Sequence, residues 1–373
     1  MEIIFDNIKR FPKKAIRTAL IKTTSIDSKY QGAEKQCIIP ERIIFTPEVK
    51  EMSFYSNAKA LEKTFCCTPK GELTKLDSVI YKTGGNILTT SSNEILLESL
   101  NAGRFRHKFS VREAYLSKSE PLPVLKDTYY SVFRSGHNNY YHTLIDNLPR
   151  LYLLGFLKKS PIKLLFPGKL TPIESFFLDR LKPSNVVVEQ VEPNKSYLIK
   201  NFILPSFVTR HYCGYLPHEY IAHFKKCVLP KRPRRKVHRI FIVRGSDASR
   251  PGKQRRRFLN EDVAFEELKK YGFNKYRLEE LSIEEQINLF YDAEFVVGGH
   301  GAGLTNMIFS EDIGVLELFA NDCILPYYYY LSKSLGHKYC YLYGDKSHIH
   351  ADFSINIAEI VEIVDKIGLS RQN

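Results

Sequence analysis

The chain has 373 residues, of which 43% are hydrophobic and 26% are charged, and its formal net charge is +14. This length allows two domains with separate cores, and the composition excludes a disordered chain and is typical of a soluble globular protein. The positive charge favours anionic partners: nucleotide phosphates, acidic polymers, nucleic acid or an anionic membrane surface.

Membrane insertion and secretion are not expected from this sequence. No stretch approaches the roughly 20 apolar residues of a membrane span. Residues 1–10 lack the apolar core of a secretory signal. The seven cysteines form an odd number without a pair of CxxC motifs, which favours buried free thiols in a reducing compartment. We therefore expect a cytoplasmic protein.

The N-terminal domain is expected to span residues 1–228. Residues 1–110 are irregular and β-leaning, whereas residues 125–207 alternate between strand-like and helix-like patterns. Thr171 followed by Pro172 and a capping-box glutamate predicts the start of a helix. Strands are expected at 128–133, 162–166, 186–188 and 202–204.

The basic residues concentrate between the two halves of the chain. From Val228 to Arg257, twelve lysines and arginines stand against one acid, Asp247. Residues 229–237, which include two prolines, predict a basic linker. Such a linker is either simply solvated or attracts an anionic ligand or surface.

The second half of the chain shows a βαβ pattern. Apolar runs of strand length alternate with helix-like segments, and Ser282 and Glu285 form a capping box. This alternation predicts a parallel sheet in a C-terminal domain spanning 238–350, while 351–373 is expected to form a helix that packs back onto the protein. Strands are expected at 239–243, 295–297 and 315–319, and helices at 260–271, 283–292 and 302–309.

A glycine-rich turn is the clearest candidate binding site. It follows the strand at 295–297, surrounds His300 with four glycines and leads into the helix predicted at 302–309. Glycines let a ligand approach the backbone, and the free N–H groups at a helix start favour a phosphate. The candidate phosphate-binding residues of the turn are Gly299, His300, Gly301, Ala302, Gly303, Leu304 and Asn306.

A histidine–carboxylate pair is the candidate proton acceptor. His142 and Asp146 lie four residues apart in a helix-like segment, which Pro149 is expected to kink or to restart. A carboxylate beside an imidazole orients it and suits it to deprotonate a hydroxyl group. The alternative is a helix cap with a purely structural contact. Asn139, just before the pair, is a supporting candidate.

Arginines near strand and helix ends are candidate phosphate ligands. Arg244 follows the strand at 239–243, at the strand end where open α/β sheets bind ligands, and a guanidinium can clamp a diphosphate. Arg257 is expected to assist it. The supporting candidates nearby, of which the last two are alternatively simple helix caps, are Arg256, Asn260 and Glu261.

Glu317 stands inside an apolar strand, where an unpaired carboxylate is costly. A ribose diol is one candidate partner, and arginine or backbone N–H groups are the structural alternative. The turn is not a GxGxxG motif with a downstream ribose-binding acid, so a dinucleotide fold is weakly supported. No GxxxxGK[ST] motif is present, which excludes a P-loop.

The combination of these motifs is more specific than any one of them, and it resembles glycosyltransferase family 61. That family includes protein O-linked N-acetylglucosaminyltransferases, plant xylan-modifying transferases and many bacterial polysaccharide-biosynthesis members. The similarity covers roughly residues 125–320, in order, and leaves residues 1–110 without a match. The matching segments are 141–151, 242–244, 256–262, 285–286 with Ala293, 297–306 and 315–318.

The resemblance implies a GT-B architecture, in which two Rossmann-like domains face a cleft that holds the active site. It also implies an inverting, metal-independent transfer of a sugar from a nucleotide donor, most simply a UDP-linked one, with no cofactor. The residues favour the same view, because no Asp-x-Asp-type pair stands out for a metal-bound diphosphate. Arginines and helix-start N–H groups are abundant instead.

On this interpretation, His300 and Arg244 hold the diphosphate and Glu317 takes the ribose. His142 and Asp146 deprotonate the acceptor, and either of them can be the base. The expected partners are a nucleotide sugar and a glycan or lipid-linked glycan acceptor in capsular, O-antigen or other surface polysaccharide synthesis, with segment 228–257 near an anionic membrane. The alternative is a non-enzymatic protein that binds nucleic acid or membrane through that basic segment.

Overall fold

The computed structural model describes residues 23–29, 33–45, 65–100, 121–131, 139–157, 161–209, 213–243, 257–320, 325–345 and 352–371. Within these ranges the backbone forms a mixed nine-stranded sheet, a parallel five-stranded sheet and a two-stranded ribbon. The α/β class expected from the sequence is therefore confirmed. No helix in this part of the chain is long and apolar enough to cross a membrane.

The nine-stranded sheet comes from the first half of the chain. Its strands are β1 Thr23–Thr24, β2 Lys35–Ile39, β5 Gly71–Lys82, β6 Ile87–Thr89, β7 Ile95–Leu96, β8 Val124–Ser131, β9 Ile162–Pro167, β10 Val186–Val191 and β11 Ser196–Pro205, and the separate ribbon pairs β3 Arg42–Phe45 with β4 Phe65–Thr68. The order is β1-β7-β6-β5-β11-β8-β9-β10, with β2 on β5. From β11 to β10 the pairs are parallel, whereas β5 joins β11 antiparallel.

The strands predicted in this half are found where the apolar runs place them. The runs at 162–166, 186–188 and 202–204 lie inside β9, β10 and β11, and the run at 128–133 overlaps β8, although 132 and 133 lie outside the described residues. The β-leaning pattern of the N-terminal region is confirmed for its described part, where β5 alone has 12 residues.

Helices of this half pack on the sheet. They are α1 Ile26–Lys29, a 3₁₀ turn Leu97–Ser99, a π-helix His142–Asn147, α2 Pro149–Leu154, α3 Pro172–Leu181 and α4 His218–Val228. Pro149 begins a new helix at a position where its missing N–H is not needed, which confirms the predicted restart. Thr171 and Glu174 form the predicted capping box of α3. The buried Arg150 then donates to the carbonyl of Pro205 at 2.5 Å, which ties α2 to the end of β11.

The five-stranded sheet belongs to the second half and is parallel throughout. Its strands are β12 His238–Ile242, β13 Phe273–Tyr276, β14 Ala293–Gly299, β15 Gly314–Ala320 and β16 Lys338–Gly344. They lie in the order β13-β12-β14-β15-β16. This is a doubly wound order, in which ligands bind beyond the carboxyl ends of the strands where the order reverses. Here that point lies between β12 and β14.

The helices of the second half cover this sheet. They are α5 Glu261–Lys269, a 3₁₀ turn Leu278–Glu280, α6 Ile283–Tyr291, a 3₁₀ helix Ala302–Phe309, α7 Tyr327–Leu335 and α8 Ile357–Lys366. The predicted capping box of Ser282 and Glu285 opens α6. The expected C-terminal helix is α8, whose Ile360 and Ile363 join the core formed by Phe241 and Phe295 of the parallel sheet.

The basic linker at 229–237 forms no helix or strand, and its arginines are bound to the second half. Arg232 and Arg235 both bond to the carboxylate of Asp292, which is 0% exposed. Their hydrogen bonds hold the pKa of Asp292 well below its usual range. Arg234 donates to three backbone carbonyls of the neighbouring chain. The linker is therefore anchored, a role that neither sequence alternative included.

Stability below neutral pH is expected to depend on His337. Its Nε2 bonds to the carbonyl of Met307 at 3.0 Å, and burial lowers its pKa to about 4. In the unfolded chain the pKa of this imidazole is about 6.5. As the pH falls from about 6.5 to 4, only the unfolded chain gains this proton. Each pH unit in this range therefore lowers the free energy of unfolding by about 1.4 kcal/mol.

His337→Gln replaces the imidazole N–H donor with an amide N–H donor that does not titrate. It therefore isolates the contribution of this protonation to the free energy of unfolding. Urea unfolding near neutral pH and near about pH 4.5 should show the stability advantage of the wild type over the variant narrowing by about 2 kcal/mol in acid. A difference that stays constant between the two conditions would contradict the assignment to His337.

Candidate active site

The glycine-rich turn lies at the reversal point of the parallel sheet. β14 ends at Gly299 and pairs directly with β12, whose last residue Ile242 lies opposite Gly298. The backbone N–H of His300 donates to the carbonyl of Leu318 on β15 at 2.8 Å, which fixes the turn to the sheet. The turn therefore occupies the position at which this strand order favours ligand binding.

Two of the glycines allow close packing. A Cβ on Gly298 would lie 3.2 Å from Ile242, and one on Gly303 would lie 3.1 Å from Leu278. At Gly299 a Cβ would meet nothing closer than 3.8 Å. Gly298 and Gly303 thus let the following helix lie close to β12, while Gly299 leaves room beside the backbone.

The helix after the turn differs from the prediction in geometry and burial. Ala302–Phe309 is a 3₁₀ helix, and its residues from Leu304 onward are buried, since apolar side chains cover most of its circumference. The N–H of Leu304 already donates to the carbonyl of Gly301 at 3.1 Å. This N–H is therefore engaged within the protein, and phosphate binding by Leu304 stays a prediction. Ala302 and Gly303 remain partly exposed.

His300 forms a buried chain with Glu317 and Tyr339. Its Nδ1 lies 2.5 Å from Oε1 of Glu317, and the Tyr339 hydroxyl donates to Oε2 at 2.5 Å. Glu317 is 0% exposed and His300 is 8% exposed. Both carboxylate oxygens thus have protein partners, which satisfy a charge that would be costly to bury alone. This arrangement does not support the predicted ribose contact of Glu317.

Asn306 connects the turn to the first half of the chain. It is 1% exposed, its Oδ1 accepts a hydrogen bond from the Tyr140 hydroxyl at 2.5 Å, and its Nδ2 donates to Gln286 at 2.9 Å. Gln286 donates in turn to the carbonyls of Leu278 and Leu281. Asn306 was predicted to bind nucleotide, but its amide is engaged within the protein.

The predicted contact between His142 and Asp146 is present. Nδ1 of the imidazole lies 2.6 Å from Oδ2 of the carboxylate, inside a π-helix, a geometry that often occurs at functional sites. The imidazole is 22% exposed and the carboxylate 4%, so the imidazole is the outer group of the pair. Asn139 supports this helix start, because its Oδ1 accepts from the backbone N–H groups of Tyr141 and His142.

A layer of aromatic rings connects the two histidines. The Tyr141 ring centroid lies 5.4 Å from His142 and 5.0 Å from Tyr327, and Tyr327 lies 6.1 Å from His300. Tyr328 contacts both Tyr141 and His300. The fold therefore brings together two clusters that lie in different halves of the sequence. The rings of Tyr141, Tyr327 and Tyr328 lie between them.

The arginine-rich segment is described in part. Arg244 and Arg256 lie outside the described residues, so their predicted contacts are untested. The guanidinium and backbone N–H of Arg257 bond to the carboxylate of Asp352, with distances from 2.7 to 2.8 Å. If Arg257 assists phosphate binding as predicted, its guanidinium must contact the phosphate while it is paired with Asp352.

The two supporting candidates at the start of α5 have structural contacts. Asn260 makes no side-chain cap; instead its amide exchanges hydrogen bonds of 2.8 and 3.1 Å with the backbone of Ile355. Glu261, the first residue of α5, lies 3.9 Å from the ammonium of Lys275. Neither residue lies in the group formed by the turn and the tyrosine layer.

Sequence reasoning missed three tyrosines of this region: Tyr140, Tyr327 and Tyr339. Tyrosine in an apolar segment is typical of a protein core, so the pattern gives no positive signal for them. The one indirect signal is Glu317, whose buried charge required a partner. Among the residues that the structure describes, no three His, Cys, Asp or Glu side chains are grouped as metal ligands.

The part of the chain that contains the candidate site matches a known sequence family. The profile of that family, described as glycosyltransferase 61, matches residues 140–315. This interval contains the His142–Asp146 pair and the whole glycine-rich turn, which are the two clusters that meet in the fold. The chain is similar to glycosyltransferase family 61 over these residues.

A plant protein named as a glycosyltransferase is also similar to part of the chain. A β-1,2-xylosyltransferase of Arabidopsis thaliana is 25% identical over 150 residues, which cover 35% of this chain and 28% of that protein. The aligned region thus spans little more than a quarter of the relative. Within the family 61 match lie Tyr140, Asn306 and Gln286, whereas Glu317 and Tyr339 follow its end.

Proposed function

We propose that this protein transfers a sugar from a nucleotide-sugar donor to a hydroxyl group of a glycan acceptor. The observation that carries the proposal is the position of the His142–Asp146 pair beside the turn that holds His300, with one layer of tyrosines between them. A proton acceptor and a site for a departing diphosphate are what such a transfer requires. The match of residues 140–315 to glycosyltransferase family 61 supports the same reaction.

In this proposal His142 is the general base. Its Nδ1–H donates to the buried carboxylate of Asp146, which leaves Nε2 to accept the proton of the acceptor hydroxyl. The freed oxygen attacks the anomeric carbon as the bond from that carbon to the diphosphate oxygen breaks, so the configuration inverts. Asp146 stabilises the imidazolium that forms. The greater exposure of His142 favours this order over direct proton transfer to Asp146.

The donor diphosphate is proposed to bind at Gly299–Gly303, beside His300. Glu317 contributes by holding the His300 ring through its Nδ1, a role that replaces the ribose contact expected from the sequence. Arg244 comes two residues after the last residue of β12 in the sequence, and its guanidinium is proposed to share the negative charge of the diphosphate.

We further propose that the reaction needs no metal, because these cationic and N–H groups suffice to stabilise the leaving diphosphate. The two halves are proposed to form the GT-B cleft, with a UDP-linked donor and an acceptor from surface polysaccharide synthesis. The Arabidopsis relative is named as a xylosyltransferase, which adds xylose to the candidate sugars.

A panel of nucleotide sugars tests the proposal directly. The correct donor should raise the melting temperature, since a ligand at about 100 times its Kd stabilises the native state by about 2.7 kcal/mol. The same donor should be consumed slowly by hydrolysis, in the presence or absence of a chelator. If no member of a panel covering UDP-, GDP-, dTDP- and CMP-linked sugars stabilises the protein or is consumed, the proposed function is wrong.

The described part of the basic segment 228–257 does not favour the alternative of a nucleic-acid or membrane binder. Its arginines are bonded to carboxylates or backbone carbonyls, which reduces the charge that they offer to a polyanion. Contact of the segment with an anionic membrane stays a prediction. The arginines concerned are Arg232, Arg234, Arg235, Arg239 and Arg257.

A further inference from the structure

A hydrogen-bonded bridge joins the two halves of the proposed site. Tyr140, two residues before His142, donates its hydroxyl to Asn306 at 2.5 Å, and Asn306 donates to Gln286 at 2.9 Å. Gln286 donates in turn to the backbone carbonyls of Leu278, in the 3₁₀ turn Leu278–Glu280, and of Leu281, the residue after this turn. We call these three side chains the Tyr140–Asn306–Gln286 bridge.

The bridge allows one arrangement of its parts. Asn306 is almost completely buried, so its amide cannot replace a lost partner with bulk water. Hydrogen bonds are directional and weaken steeply when they bend or lengthen, whereas aromatic rings tolerate offset contacts. The bridge therefore adds a directional constraint to the packing of the tyrosine layer at this point between the two halves.

Tyr140 and Asn306, the two ends of the hydrogen bond between the halves of the site, are each close in sequence to a proposed functional group. Tyr140 lies between Asn139 and His142, in the segment that starts the π-helix of the base. Asn306 lies in the 3₁₀ helix that begins directly after His300. A shift at either end moves the base relative to the diphosphate site.

We propose that Tyr140 and Asn306 are positioning residues, which hold the His142–Asp146 pair at the distance from the turn that sugar transfer requires. The inference rests on the proposed function. Bond formation needs reacting atoms about 3–3.5 Å apart and aligned, and a misplacement of about 1 Å costs on the order of 100-fold in rate. The bridge therefore acts on the rate of transfer and not on the affinity for the donor.

Two tyrosine-to-phenylalanine variants at adjacent positions test this. Tyr140→Phe removes the bridging hydroxyl and keeps the ring. Tyr141→Phe is the matched control, because its buried hydroxyl has no hydrogen-bond partner among the described residues. We expect Tyr140→Phe to lower kcat by about 10- to 100-fold with an unchanged donor Kd. Transfer to the acceptor should fall more than hydrolysis of the donor by water, and Tyr141→Phe should retain the wild-type rate.

Melting curves identify a variant that fails to fold. In that case Gln286→Ala tests the same hydrogen-bonded bridge at its far end, where the side chain is partly exposed. It should lower kcat by a smaller factor than Tyr140→Phe. Equal kcat values for Tyr140→Phe and Tyr141→Phe would overturn the bridge, as would a loss confined to donor affinity. If the wild type transfers no sugar of the panel, the proposed function itself fails; if it transfers and the two variants behave alike, only the bridge fails.

Discussion

Replacing His142 with alanine is expected to lower the turnover number of sugar transfer by about 10²- to 10⁴-fold, the usual contribution of a positioned general base. Donor affinity should not change, because the diphosphate site lies on the other side of the tyrosine layer. Asp146→Asn keeps the shape of the side chain but removes the charge that stabilises the imidazolium, so it should also lower turnover strongly. Steady-state kinetics with saturating donor and calorimetric donor binding measure the two quantities separately.

An exposed histidine gives the matched control. His218→Ala removes an imidazole at the start of α4 that is 76% exposed and lies beside Glu219, so it should leave the rate unchanged. Added imidazole should restore part of the activity of His142→Ala, since the missing group is a proton acceptor. Near-normal rates for both His142→Ala and Asp146→Asn would show that the base lies elsewhere.

The parts of the fold that could be predicted are those set by near neighbours in the chain. Ser282 and Glu285 satisfy each other at the start of α6, and Pro149 restarts a helix, because both effects act within one helical turn. The His142–Asp146 contact also spans four residues and was predicted. Short apolar runs bounded by turns located β12, β14 and β15 of the parallel sheet, whereas β13 and β16 were not predicted.

The parts that could not be predicted depend on partners distant in sequence. Asn306 has the type and place of a phosphate ligand, but Tyr140, which occupies its carbonyl, lies 166 residues away. Glu317 needed a partner, and nothing local indicates that His300 and Tyr339 share it. Ala302–Phe309 likewise packs close to Ile242 of β12, a contact that only the assembled sheet reveals.

The linker shows the same limit. Arg232 was predicted as part of a charged segment open to solvent or to an anionic partner, because the acid that it binds, Asp292, lies 60 residues further along the chain. In the fold this carboxylate accepts hydrogen bonds from the guanidinium groups of Arg232 and Arg235 and from the backbone N–H of Arg235. A run of positive charge is therefore weak evidence for an external partner until its internal acids are located.

Asp292→Asn is accordingly expected to lower the free energy of unfolding by about 2–3 kcal/mol, the cost of removing one partner from charge-assisted hydrogen bonds at a buried position. The asparagine fits the same space but cannot accept from both guanidinium groups with a full charge. Asp312→Asn is the matched control, because it breaks an exposed pair with Lys236 in the same segment. Such surface pairs contribute about 0–1 kcal/mol.

The pH dependence separates the ionic contribution from packing. Since the arginines hold the folded pKa of Asp292 below its unfolded value, the wild type keeps the full ionic stabilisation above about pH 4 and loses it as the pH falls further. Urea unfolding near neutral pH should therefore give a clearly lower free energy of unfolding for Asp292→Asn than for Asp312→Asn, with the wild type as the reference. Equal stability of the two variants would mean that Asp292 does not anchor the linker, and the basic segment would again be available to an anionic partner.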